Sequence, residues 1–333
     1  MRSLNQVFHR KKILVTGGTG SIGSQLVRTL LRYKPALVRV FSRDEAKQFQ
    51  LREELGQPRN IDFVVGDIRS KESLSEACKN IHFIFHSAAL KQVSSCEDNP
   101  AEAVLTNALG AHNVVRCAIE SKVSKVVAVS TDKAVYPASI MGATKLIMER
   151  IILAAQKQKT DTKFCVVRFG NVIDSRGSLV PLLLSRIKEK RPLTLTDEAM
   201  TRFVMTIPDA CSLVLRACAL CQSGEVFVLK MGRVKIKDLI QVVIEEFSPK
   251  FGISPQEVVL SVAGVCEGER LAEILFSPEE SMRVKDIGKM LVISSDFKTN
   301  KVTVNFSPSS CEGDFLNRIE IVKLLKRAGC YDI

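Results

Sequence analysis

The 333 residues are enough for one large or two modest domains with a buried core, and 46% hydrophobic against 25% charged residues excludes a disordered chain. Forty-eight Lys and Arg against 36 Asp and Glu leave a formal charge of +12, which favours anionic partners such as phosphorylated metabolites, nucleic acid or an acidic membrane face. No apolar run approaches the roughly 18 to 20 residues that span a bilayer, and Met1–Lys12 lacks the apolar stretch of a secretion signal, so the expectation is a soluble cytoplasmic chain with no membrane partner.

The first half alternates short runs rich in Val, Ile and Phe with helical patterns. Strands are predicted at Lys12–Thr16, Val38–Phe41, Asp62–Val65, Phe83–His86, Lys125–Ser130 and Phe164–Arg168. Helices are predicted between them at Ser24–Leu31, Glu45–Leu55, Leu74–Asn80, Glu102–Glu120 and Gly142–Gln156. Several strands are apolar without alternation, as in a sheet covered on both faces. The fold class is therefore α/β, a Rossmann-type doubly wound parallel sheet whose ligands sit outside the strands' carboxyl ends. After Asn171 the rhythm changes. Leu179–Lys190, Pro208–Cys221, Lys235–Phe247, Glu267–Phe276 and Asn317–Ala328 read as helices, and Arg202–Thr206 and Glu225–Lys230 as extended. The expected organisation is a dinucleotide-binding domain over residues 1–172, with a return segment at about 204–234, and a smaller mixed α/β substrate-binding region over 173–203 and 235–333.

Ten cysteines lie mostly in apolar contexts, as in Phe164-Cys165-Val166. The one CxxC, Cys218 to Cys221, lies inside an apolar stretch with no second pair or histidines at ligand spacing. Core packing is the expectation there, and no metal site.

The sharpest local signal is Thr16-Gly17-Gly18-Thr19-Gly20-Ser21-Ile22-Gly23, directly after a strand and before a helix. Gly17, Gly20 and Gly23 allow a tight turn, close approach of a pyrophosphate and close helix–strand packing, with the helix N-terminus facing the negative charge. The end of the second strand reads Phe41-Ser42-Arg43-Asp44-Glu45. Arg43 and Ser42 suit the 2′-phosphate of NADP, whereas Asp44 and Glu45 suit the start of the next helix.

Ser130-Thr131-Asp132-Lys133-Ala134-Val135-Tyr136-Pro137, followed by Met141-Gly142-Ala143-Thr144-Lys145, goes beyond a generic nucleotide fingerprint. With Gly66-Asp67-Ile68-Arg69, Ala88-Ala89-Leu90-Lys91, Arg168-Phe-Gly-Asn-Val172, Ser175-Arg176-Gly177-Ser178 and Met200-Thr201-Arg202-Phe203, it resembles the extended short-chain dehydrogenase/reductases. More narrowly, the chain is similar to the inverting UDP-N-acetylglucosamine 4,6-dehydratases of capsular polysaccharide and flagellin-sugar biosynthesis, from about Lys12 to the last helix.

That resemblance implies a redox-neutral, NADP-dependent lyase. Hydride leaves C4 of the sugar and returns at C6, water is lost across C5 and C6, and C5 is protonated on the opposite face. It implies Lys133 as the base at C5, Asp132 as the acid for the C6 hydroxyl, Thr131 near O4 and Lys145 on the nicotinamide ribose. Lys133 can act as a base only with a lowered proton affinity, which Lys145 and a cationic nicotinamide would supply. Asp132 needs the reverse. The cofactor set implied is Gly17, Thr19, Gly20, Ser21, Ile22, Gly23, Ser42, Arg43, Lys47, Asp67, Ile68, Ala88, Lys91, Ser130 and Lys145. The substrate set is Lys91, Asn171, Val172, Ser175, Arg176, Arg202 and Glu269, holding a UDP-sugar, and a homo-oligomer is implied by analogy.

Two positions depart from the family's pattern. Met141 stands where the superfamily has tyrosine four residues before Lys145, as in several capsule-type and membrane-bound dehydratase relatives; a thioether cannot remove the C4 hydroxyl proton, which leaves Asp132 or Lys133 to act twice. Cys266, in Gly264-Val-Cys266-Glu267-Gly268-Glu269-Arg270-Leu271, stands where relatives carry an arginine for the diphosphate. Two other readings are a UDP-hexose 4-epimerase on the same scaffold and a non-catalytic NADP- or nucleic-acid-binding module. Epimerisation needs no acid and base at C5 and C6, so Asp132-Lys133 favours elimination. Basic residues spread along the chain, with three Tyr and no Trp, speak against nucleic acid.

Overall fold

A computed structural model describes residues 3–264, 267–294 and 306–332. Cys266 lies outside the described residues.

Seven parallel strands form the body of a nine-stranded sheet. In spatial order they are Glu225–Leu229, Lys163–Phe169, Lys125–Thr131, Phe83–His86, Lys12–Thr16, Leu37–Ser42 and Ile61–Val65. The β-branched and aromatic centres of six of these strands are buried under helices on both faces, while the edge strand Ile61–Val65 is only partly covered. The chain order reverses between Lys12–Thr16 and Phe83–His86, and at such a switch the loops beyond the carboxyl ends part to make a crevice.

Residues 235–333 were assigned by sequence to the substrate-binding region, but within them Val284–Asp286 and Met290–Ile293 complete the main sheet as an antiparallel edge pair. Val284, Leu291 and Ile293 bury their apolar side chains there. The rest of the second region has its own core, built on Leu179–Lys188, Ile236–Phe247 and Arg318–Ala328. It carries two small sheets, Asn171–Val172 with Thr201–Met205 and Gly232–Lys235, and Leu193–Leu195 with Leu260–Val262.

Two predicted helices differ. The stretch Glu102–Glu120 contains a π-helical turn at Val104–Leu109 before a regular helix at Gly110–Glu120. The predicted helix Glu267–Phe276 does not form. Gly268 is left-handed at φ 78°, Ile274 bridges Ser309, and the Leu275 amide donates to the Pro308 carbonyl at 2.9 Å. Those pairings hold the segment irregular, with Leu275 and Phe276 buried in the core and Leu271 exposed.

Candidate active site

The glycine turn follows from the sequence. Gly17 adopts φ 66°, and a Cβ there would lie 2.7 Å from the Ala88 backbone. A Cβ on Gly23 would lie 2.2 Å from the Gly17 carbonyl oxygen. Gly20 caps Ser21–Leu31 without a side-chain hydrogen bond, so the first-turn amides face the crevice free to meet an anion. This cradle, open to backbone approach and headed by an eleven-residue helix, fits a dinucleotide pyrophosphate. Arg176, expected at the substrate, lies over this turn: its amide donates to Ser21 Oγ at 3.0 Å and its guanidinium donates to the Thr19 carbonyl. Lys91 Nζ donates to the Arg176 carbonyl at 2.7 Å and to Ser175 Oγ at 3.4 Å, tying the same segment down. Burial, with the Arg176 charge, lowers the Lys91 proton affinity.

At the end of the second strand, Asp44 caps the helix Glu45–Glu54 by accepting from the Lys47 amide at 2.9 Å. Arg43 stays half exposed and reaches Asp67 at 3.6 Å. Ser42 is buried, its hydroxyl accepting from Gln48 at 3.2 Å. Asp67 accepts from the Arg69 amide and Nε, both at 2.9 Å. Burial pushes its carboxyl up, but the Arg69 bonds win and hold it below the ordinary value. Ile68 packs beneath Gly110.

The strand Lys125–Thr131 delivers the acid–base group. Its register sets Ser130 opposite Arg168 and Thr131 opposite Phe169, and the chain then turns through Asp132–Ala134. Asp132 is fully buried; its Oδ1 accepts from Thr131 Oγ1 at 2.9 Å, while Oδ2 and the Ser130 hydroxyl have no partner among the described residues. Lys133 Nζ reaches Asp132 Oδ1 at 3.1 Å, Asn171 Oδ1 at 3.3 Å and Glu273 Oε1 at 3.0 Å. Arg202 Nε lies 3.7 Å from the same Glu273 oxygen, and its Nη1 donates to the Thr201 carbonyl at 2.8 Å. Two cations and two carboxylates thus neutralise one another, with Lys133 alone of the four partly exposed.

The expected lowering of Lys133 is reversed in this arrangement. Burial works against its charge, but Asp132 and Glu273 outweigh burial and raise its proton affinity. Burial and then the Asp132 charge push the Glu273 carboxyl up, against Lys133 and Arg202.

Lys145 lies on the helix Ile140–Ala154, which Ser139 caps by accepting from the Gly142 amide at 3.1 Å. It is buried, donates to the Val129 carbonyl at 2.5 Å, and is pushed down to about 8 by desolvation. Met141 packs in a small apolar cluster with Cys96 and Ala103. Tyr136 is half exposed, its hydroxyl donating to Glu279 at 3.2 Å. Val172 pairs with Met205 beside the cluster. Glu269 stands apart from it, accepting from Thr196 Oγ1 at 3.1 Å. Cys218 and Cys221 are fully buried core residues.

Sequence reasoning missed four polar residues. Glu273 was hidden in a segment read as a helix. Asn107, presented by the π-helical turn, joins the Leu90 backbone to Thr144 Oγ1 at 3.0 Å. Buried His86 meets Thr16 Oγ1 at 2.8 Å and is pushed to about 3 by burial and then by Lys145. Gln48 ties Ser42 to the Val64 carbonyl at 2.9 Å. Only the lone acidic residue in Leu271-Ala-Glu-Ile-Leu-Phe276 offered a signal for Glu273.

Residues 13–295 match the family model of polysaccharide biosynthesis proteins. An archaeal relative, described as an uncharacterized membrane protein of Methanocaldococcus jannaschii, is 45% identical over 98% of both chains. A protein of Rickettsia bellii described as a UDP-glucose 4-epimerase is 39% identical over 92% of this chain and 89% of its own. The X-ray structure of Pen from Bacillus thuringiensis superposes with a TM-score of 0.92 at 40% identity, covering 97% of this chain and 98% of Pen. The dTDP-glucose 4,6-dehydratase DesIV of Streptomyces venezuelae, solved with NAD, shares the fold at a TM-score of 0.69 and 24% identity, over 78% of this chain and 86% of its own. No helix among the described residues is long and apolar enough to cross a membrane.

Proposed function

This chain belongs to the polysaccharide biosynthesis protein family, and from that premise we propose that it is an NADP-dependent 4,6-dehydratase of UDP-N-acetylglucosamine, inverting at C5. The observation that carries the reading is the group of buried Asp132 and Glu273 with partly exposed Lys133 and Asn171 at the carboxyl end of a central strand. Elimination across C5 and C6 needs an acid and a base side by side, whereas epimerisation at C4 does not.

NADP, when bound, supplies reversible hydride acceptance, from C4 and back to C6. The glycine turn and the first-turn amides of Ser21 and Ile22 hold its pyrophosphate, and Arg43 with Lys47 meets the 2′-phosphate. Lys145 orients the nicotinamide ribose. Lys133 removes the C5 proton, Asp132 protonates the departing C6 hydroxyl, and Thr131 hydrogen-bonds at O4. Met141 fills the place of a tyrosine as an apolar wall, so the C4 hydroxyl proton goes to Asp132, whose second carboxylate oxygen has no partner among the described residues. Arg202, Asn171 and Lys91 face the UDP-sugar. Nine described cysteines are all free thiols, eight of them buried, which suits a reducing cytoplasm. The exposed Val104, Leu105, Leu109 and Ile147 offer an apolar face for a homo-oligomer.

The test is incubation of purified protein with UDP-N-acetylglucosamine, read by mass spectrometry and proton NMR. Loss of one water with solvent exchange at C5 is expected. The second reading, a UDP-hexose 4-epimerase, is favoured by the description of the Rickettsia bellii relative; an unchanged mass with inversion at C4 would select it.

A further inference from the structure

We propose that Glu273 is the positioning residue that takes the proton Lys133 must shed before acting as a base. The proposal rests on the dehydratase reading. In the resting structure Lys133 is an ammonium held between two carboxylates, and an ammonium has no lone pair with which to remove a C5 proton. Asp132, as the donor to the C6 hydroxyl, is committed elsewhere. Among the described residues that leaves Glu273, 3.0 Å from Nζ and 3% exposed.

The placement of Glu273 is rigid. Its amide donates to the buried Ser310 hydroxyl at 2.8 Å, and Ser310 bonds Thr201 Oγ1 at 2.9 Å. The groups facing it are Lys133 and Asp132 from the turn after the central strand, and Arg202 from Thr201–Met205. The transfer is balanced: one Nζ–H bond breaks, one Oε1–H bond forms, and an ion pair becomes a neutral amine beside a neutral acid. Burial raises the Glu273 carboxyl and penalises the Lys133 charge, which narrows the gap to the neutral pair, while at rest the two carboxylates keep Nζ protonated. A substrate that expels the last water lowers the local dielectric and narrows that gap further. After the C5 proton has moved to Nζ the pair carries one proton too many; Lys133 releases that proton to bulk water, which also supplies the proton C5 receives on its opposite face, and the Glu273 proton then returns to Nζ and restores the starting pair.

The experiment compares wild type, Glu273→Gln and Glu273→Asp. The Lys133 Cε signal of lysine-labelled, substrate-free protein, assigned by its loss in Lys133→Met, is followed by NMR against pH. Glu273→Gln is expected to lower its titration midpoint by about one unit or more. In turnover at pH 7, C5 exchange should fall about a hundredfold with KM little changed, and recover as pH rises and the free amine forms. Glu273→Asp, which keeps the carboxylate, should retain the wild-type shape of the pH profile, and it carries the test if the Gln variant fails to fold. An unmoved Lys133 titration, or C5 exchange at wild-type rate with an unchanged profile, overturns the proposal. Absence of turnover in wild type itself would overturn the dehydratase reading instead, while the titration still decides whether Glu273 governs the Lys133 proton.

Discussion

Glu149→Gln should destabilise the protein by about 3 kcal/mol, although it leaves volume and helix propensity nearly unchanged. Arg168, on the strand Lys163–Phe169, is 2% exposed and carries its charge into the core. It meets Glu149 of the helix Ile140–Ala154 twice, Nε to Oε1 at 3.1 Å and Nη2 to Oε2 at 2.6 Å. It meets Glu280 twice more, at 2.8 and 3.1 Å, and donates to the Leu275 carbonyl at 2.8 Å. Breaking a buried pair costs about 3 to 5 kcal/mol because the remaining charge is stranded. Here Glu280 still neutralises Arg168, which places Glu149→Gln at the low end. Arg168→Met strands two carboxylates and belongs at the upper end, about 5 kcal/mol. The double variant Glu149→Met/Arg168→Met removes one of those carboxylates and should be more stable than Arg168→Met alone. Urea unfolding with linear extrapolation reads all three. The reasoning fails if Glu149→Gln costs less than about 1 kcal/mol, or if the double variant is less stable than Arg168→Met.

Two further predictions concern the cofactor side. Lys145 is depressed on folding from 10.5 to about 8. Between those values the unfolded chain binds more protons, so stability rises with pH there, and below about 8 the full penalty applies. Cofactor-free wild type should therefore gain about 3 kcal/mol relative to Lys145→Met between pH 7 and 10.5, and a flat difference in unfolding free energy would refute the burial of a titrating amine. Gly23→Ala puts a methyl 2.2 Å from the Gly17 carbonyl oxygen and 2.8 Å from the Gly18 Cα, forcing the helix away from the turn. Dinucleotide affinity by calorimetry, measured with both NADP and NAD, should fall by about tenfold or more, with a lower melting temperature; unchanged affinity would mean that the pyrophosphate binds elsewhere.

The resemblance to an inverting dehydratase, read from the Thr131-Asp132-Lys133 block, is met at the coarser level of the polysaccharide biosynthesis family and the shared fold. The finer substrate and the C5 outcome stand as proposals. Local sequence determined the parallel sheet, because strands buried on both faces must be continuously apolar and each crossover needs an amphipathic helix. It also determined the glycine turn, because only residues without Cβ fit against the Ala88 backbone and the Gly17 carbonyl. The irregular, non-helical course of 267–276 was not legible. Leu271, Ile274, Leu275 and Phe276 suit a helix face as well as a packed strand, and the choice is made by Ser309 and Pro308, more than thirty residues on. For the same reason Glu273 could not be placed. The proton affinity of Lys133 was likewise a tertiary matter. Its own neighbours in sequence supply Asp132, but Glu273 and Arg202 arrive from distant segments, and at 3 to 4 Å in a largely buried site those charges decide which groups hold protons.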